Sequence, residues 1–300
     1  MDPDLRMLRY FLAVAEELNF TKAAERLHIA QPSLSAQIRQ LEAQLGVPLL
    51  HRSTRSVSLT EAGEALFTQG PRALAGVERA WQAARDAGSG VVGTLRLAYT
   101  LSAGHDTVPR LIESLGETHP GITVTTEVLP TPQILLAVRD GRADAGVARA
   151  PAARDGVRIR PLRTDAEGVL AAAAHPLAGR ETVHLRDVAE HPVVLHPRSA
   201  NPAHHDFIRD LFASRVLQPH FIERDIAFDL SQPLIADGAA VALVGRSTAL
   251  RLPPDLRWIP LAEPVALTVA LVLPAAQPSA TARRLEAVAV TQAAAHGWLG

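Results

Sequence analysis

The sequence predicts a two-part chain, a small all-α head followed by a larger α/β body. Three observations carry that expectation. The first sixty or so residues hold three short segments of helical period with breaks of a few residues between them. Beyond residue 91 the period changes to alternating strands and helices. A longer helical stripe lies between, closed by Gly88, Ser89 and Gly90. A chain of 300 residues also exceeds what one ordinary core holds.

In the head, Leu8, Phe11, Leu12, Ala15 and Leu18 share one helical stripe. A second helix is expected over 21–27, with Thr21 as its cap. After His28, Ile29 and Ala30, Pro32 stands where a first helical turn tolerates proline. Leu34, Ile38, Leu41 and Leu45 then recur at spacings of four, three and four, a narrow buried stripe that Gly46 ends. That stripe leaves Ser33, Ser35, Ala36, Arg39 and Gln40 turned away from the core. Residues 49–59 read as a small hairpin with Arg52 and Arg55 towards its tip. From Thr60 to about Asp86 a long helix carries Leu66, Leu74, Val77 and Trp81 along one side. Gly70 and Pro71 should kink or restart it, since an internal proline costs about 3 kcal/mol.

In the body, Leu95, Leu97 and Tyr99 alternate as a strand, 108–115 is helical, and Ile122, Val124, Thr126 and Val128 alternate again. A helix over 133–139 and an apolar run at 145–148 complete a βαβαβ rhythm, which implies a parallel sheet covered by helices. A second round places strands near 169–173, 193–195 and 240–244 and helices near 205–214 and 228–237. A strand at 265–273 and an amphipathic helix at 281–294 close the chain. Two α/β units of similar size bind ligands at the carboxyl ends of their strands, in the crevice between them.

Composition narrows the function classes. The chain contains no cysteine, which excludes disulfides, thiolate chemistry and Cys-ligated zinc. Asp2 and Asp4 interrupt the N-terminus, so no secretory signal is expected, and no apolar run is long enough for a membrane span. A cytoplasmic protein is therefore expected. Net charge is −1, but residues 21–60 hold five basic side chains (Lys22, Arg26, Arg39, Arg52, Arg55) against two acids (Glu25, Glu42). No Gly-x-Gly-x-x-Gly turn, Walker loop or Gly-x-Ser-x-Gly elbow is present, and the carboxylates form no recognisable pair, so no enzyme is expected. His191, His196, His204 and His205 cluster in sequence, yet lack the spacing that sets two imidazoles on one face, so no metal and no cofactor is expected.

The head resembles the DNA-binding domain of LysR-type transcription regulators nearly throughout. The residues that carry the likeness are Leu8-Arg9-Tyr10-Phe11, the run Phe20 to His28, Gln31-Pro32-Ser33-Leu34-Ser35, Gln37 to Glu42, Leu45 to Leu50, Arg52, and Leu59-Thr60-Glu61-Ala62-Gly63. The resemblance implies a winged helix-turn-helix over 1–60 and a linker, dimerising helix with its hinge over 61–90. An effector-binding domain of two Rossmann-like α/β subdomains, like type 2 periplasmic binding proteins, would fill 91–300. Its subdomain I would span about 91–163 and 265–300, and subdomain II about 164–264. It further implies double-stranded DNA as partner, with Gln31, Pro32, Ser33, Ser35, Ala36, Arg39 and Gln40 of the recognition helix at the major groove. Thr21 and Lys22 would meet the backbone, and Arg52 and Arg55 would act from the wing. Ala36 departs from the arginine that many members carry there, which shifts specificity towards Gln31, the serines and DNA shape. Leu66, Leu74, Val77 and Trp81 would pair protomers, and four would assemble as a dimer of dimers. A small effector, suspected to be a carboxylate, would meet Ser102, Thr131, Arg149, His196 and Asn201, with Arg149 as its bidentate partner. A solute-binding module without DNA binding is the other class considered; the head argues against it.

Overall fold

A computed structural model describes residues 4–52, 57–89, 93–224 and 233–299. The chain divides into two compact units, Met1–Trp81 and Gln82–Gly300, each with its own core.

In the first unit α1 (Leu5–Glu17) starts at Asp4, whose carboxylate accepts from the Met7 amide at 2.8 Å. Helix α2 (Phe20–Arg26) is capped by Asn19 rather than by Thr21, because the Asn19 side-chain Oδ1 accepts from the Thr21 and Lys22 amides. Helix α3 (Gln31–Leu45) takes Pro32 in its first turn and ends at Gly46, where φ is 72°. Leu34, Ile38 and Leu41 are fully buried against Phe11 and Val14, while Leu45 is 41% exposed and so falls off the predicted stripe. Strands β1 (Leu50–Arg52) and β2 (Val57–Leu59) pair antiparallel.

Helix α4 (Glu61–Ser89) runs through Pro71 without the predicted break. The residues flanking the proline are held by packing: a Cβ on Gly70 would press on Leu8 and Leu12, and Ala75 is buried. Tertiary contacts of that kind outweigh one lost helical hydrogen bond. Thr60 opens the helix, its hydroxyl donating to the Pro48 carbonyl and accepting from the Gly63 amide. Leu66 and Leu74, expected to pair protomers, are half-buried on the helical core of their own unit.

The second unit is built on β3 (Gly93–Tyr99), α5 (Thr107–Thr118), β4 (Ile122–Val128), α6 (Thr131–Arg139), β5 (Ala145–Arg149), β6 (Val157–Ala172), α7 (Leu185–Val188), β7 (Val193–Leu195), α8 (Pro202–Ala213), β8 (Phe221–Glu223), α9 (Pro233–Ala236), β9 (Val241–Gly245), β10 (Leu256–Pro260), β11 (Ala266–Pro274) and α10 (Ala280–Ala295). The strand order is β4-β3-β5-β11-β6-β9-β7-β8, with β10 beside β6. Strands β3, β4 and β5 are parallel, as the βαβ rhythm predicts, and so are β7, β8 and β9. The joining strands are not: β11 runs antiparallel to both β5 and β6, so the sheet is mixed.

Strand β6 joins the two halves. Its first part pairs with β11 and its last part with β9 and β10. The sequence reveals only the apolar end near 169–173, because the first part is interrupted by arginines and by Pro161. Proline is accommodated beside a bulge, where the partner of β11 jumps from Arg163 to Pro161 and leaves Leu162 unpaired and buried. Of the helix expected at 228–237, the described residues hold the turn Pro233–Ala236. Two main cores follow, one around Leu95, Leu111, Leu271 and Leu285, the other around Val169, Leu195, Phe212 and Leu243.

Candidate nucleic-acid interface and ligand cleft

On α3 the buried stripe fixes the opposite face. Gln31, Pro32, Ser33, Ala36, Arg39 and Gln40 are exposed and Ser35 is half-buried, so the predicted recognition residues share one accessible face. The Arg39 Nε donates to the Ser35 carbonyl at 3.4 Å, which leaves most of its guanidinium in solvent. Thr21 and Lys22 are exposed on the first turn of α2.

Arg52, a basic side chain that can serve either DNA or an ion pair within the head, makes the ion pair. Its guanidinium donates to Glu42 Oε2 at 2.6 Å and lies 5.2 Å from the centre of the Phe20 ring. Glu42 also accepts from the Leu49 and Leu50 amides, so the pair ties α3 to the first strand of the wing. A guanidinium held by a carboxylate and an aromatic face supports the fold. Arg55 lies outside the described residues.

Along α4, Trp81 is 51% exposed and Val77 half-buried. Ala73, Ala80 and Ala84 are exposed as well, and 73, 77, 80 and 84 follow the four–three–four spacing of a helix–helix seam. Small residues on such a seam let two helices approach closely.

In the second unit a cavity of about 250 Å3 opens between the two halves of the sheet. Ser102, Thr131, Arg149, His196 and Asn201 all line it, so the structure brings the predicted residues together. His204, Thr100 and Thr248 join them, and Leu101, Val128, Leu129, Leu243 and Val244 make the remaining wall largely apolar. Helices α6 and α8 both begin at this cavity, where their N-terminal dipoles favour a negative charge. Asn201 spans the two halves. Its carbonyl caps α8 at the His204 amide, while its Nδ2 donates to Thr131 Oγ1 at 3.1 Å and to the Arg149 carbonyl at 2.9 Å.

Arg149 is not the available partner that was expected. It is 6% exposed, and its guanidinium is paired with Asp165 at 2.7 Å and with Glu167. Ser247 completes the cluster by donating its amide and its hydroxyl to Asp165. Burial opposes the arginine's charge, but Glu167 and Asp165 outweigh it and hold the group cationic. Burial pushes Glu167 up from the usual carboxylate range, with Arg149 pulling it back, and its Oε2 has no hydrogen-bond partner among the described residues. The two carboxylates stand two residues apart on β6, hence on one face. That spacing is readable in the sequence, but the arginines and Pro161 hide the strand that gives it meaning.

The fold and the two faces together define a regulator with a nucleic-acid head and a ligand-binding body. The family model for the bacterial regulatory helix-turn-helix protein, lysR family, matches residues 5–64, and the LysR substrate binding domain matches residues 88–294. The chain belongs to the LysR family of DNA-binding transcription regulators, a family without enzymatic activity. It is 33% identical over 267 residues to the HTH-type transcriptional regulator BenM of Acinetobacter baylyi, with 88% of each chain covered. It is similar to the crystal structure of CbnR, a LysR family transcriptional regulator, at a TM-score of 0.77 and 26% identity over 97% of this chain and 99% of that one. Full-length CbnR complexed with its target DNA gives a TM-score of 0.74 at 26% identity, over 96% and 99% of the two chains. Among the described residues no helix is long and apolar enough to cross a membrane.

Proposed function

We propose that this chain works in the cytoplasm as a promoter-bound homotetramer, a dimer of dimers on a dyad-symmetric site, and that a small acid in the cleft changes its grip on DNA. The observation that carries the reading is the accessible face of α3. Gln31, Ser33 and Ser35 sit at the helix start that enters a major groove, Ala36 suits a thymine methyl, and Arg39 and Gln40 follow one turn on. Thr21, Lys22 and Arg55 take phosphates. The likeness to a family member solved with its target DNA supports this assignment.

One recognition helix buries too little surface for specific binding at cellular salt, so the heads act in pairs. The α4 seam of Ala73, Val77, Ala80, Trp81 and Ala84 supplies the pairing surface. Ligand entry changes the angle between the two halves of the body and with it the spacing of paired heads. It does so only if one arrangement binds ligand better than the other.

Footprinting on the DNA upstream of the chain's own gene, at several salt concentrations, tests the reading. A protected dyad-symmetric stretch that weakens steeply with salt is the expected result. Protection no better than on random DNA, with and without candidate acids, would count against it.

A further inference from the structure

Arg149 lines the cleft with its guanidinium already paired to Asp165 and Glu167, so it offers no surplus positive charge to a ligand. A pair of imidazoles faces the same cavity. His196 Nδ1 lies 3.2 Å from the Pro197 carbonyl oxygen. A carbonyl only accepts, so that nitrogen carries a hydrogen, and Nε2 of His196 is left as an acceptor. It stands 2.7 Å from Nδ1 of His204, which must therefore donate. The order makes Nε2 of His204 the basic nitrogen of the pair. Asn201 fixes the loop between the two rings by capping α8 and bonding across to Thr131.

The charged and titratable groups around the pair come from several elements. Arg149, with Asp165 and Glu167, approaches from β5 and β6. His205 follows on α8 and contacts Asp206 and Glu223, and Arg198 pairs with Asp206. His105 lines the same cavity. Burial first, then the neighbouring His196 and the Arg149 guanidinium, holds His204 well below the ordinary imidazole range. His196 is lowered by burial too, so the cleft favours the neutral form of both rings.

We infer that a carboxylate enters this cleft together with one proton, which comes to rest on Nε2 of His204, so that the His196–His204 pair becomes the ligand's cation. The inference rests on the cleft reading given above. The balance is simple: a proton leaves solvent, one N–H bond forms, imidazole becomes imidazolium, and the anion cancels the new charge. Two helix N-termini draw an anion to the cavity, but its largely apolar wall admits a hydrogen-bonded ion pair far more readily than a lone anion. The class of ligand follows: a compact apolar body with one carboxylate, sized to about 250 Å3.

Calorimetry on the full-length protein tests this, with benzoate as probe, in buffers of differing ionisation enthalpy. The expected result is uptake of about one proton, with affinity rising about tenfold per unit fall in pH while the free pair is neutral. Benzamide should bind, if at all, without proton uptake. His204→Gln should leave any benzoate binding insensitive to pH. In the unsubstituted protein, nitrogen NMR of the histidines should show His204 Nε2 gaining its proton only with benzoate, a readout that needs no variant. Benzoate binding without proton uptake overturns the inference, and so does no benzoate binding near pH 5.5 at millimolar concentration. The regulator reading fails separately, through the footprint on DNA.

Discussion

Gly245 has no room for a side chain, since a Cβ there would collide with Asp165 and with the Arg149 guanidinium. Gly245→Ala must break buried ion pairs, and we expect a loss of about 3 kcal/mol or more in urea unfolding. Gly116 on α5 has nothing near its Cβ position, and Gly116→Ala should add about 0.5–1 kcal/mol in the same assay. Two arginines of the head separate in the same manner. Arg39→Ala should weaken DNA binding and lower its salt slope by about one, with little change in stability. Arg52→Ala should lower stability instead, because it removes the partner of Glu42. The sequence presents both as basic side chains in a basic segment. Only the fold brings Glu42 and Phe20 to one of them.

At the level of elements, α4 shows how far a pattern reaches. One apolar stripe runs through Leu66, Leu74, Val77 and Trp81, and its period is plain in the sequence. The folded head covers the first two residues and leaves Trp81 in solvent, so the stripe serves two purposes that periodicity cannot divide. Ala80→Glu places a charge on the exposed seam without touching the head's core. We expect it to dissociate the dimer in sedimentation velocity and to abolish the footprint, while the circular dichroism spectrum stays unchanged. Strand β6 is the opposite case. Its pairing with β11 satisfies the backbone whatever its side chains, so arginines and a bulged proline hid a strand that joins both halves of the body.

For the whole molecule, the neutral imidazoles of the cleft link stability to pH. The folded chain binds fewer protons at His204 than the unfolded chain, whose imidazole titrates near 6.5. Stability is therefore whole above that pH and declines as pH falls through it towards the lower folded value. Thermal unfolding of the unliganded protein should show this decline, and His204→Gln should flatten it. A carboxylate that brings its own proton should restore stability on the acid side, which ties the state of the cleft to the state of the body.

What the sequence determined by itself was local and periodic: three short helices, the buried stripe of α3 with its polar opposite face, and the strand–helix rhythm of the body. It also placed Ser102, Thr131, His196 and Asn201 at the ends of elements that converge on one cavity. These features follow from chain geometry within a few turns, where spacing alone decides which side chains share a face. The tertiary structure decided the partners. Arg149 met Asp165 and Glu167, Arg52 met Glu42, and His196 met His204 through contacts between segments whose approach no local period specifies. A charge is available to a ligand or to DNA only if nothing nearer has neutralised it, and nearness in space is what the fold supplies.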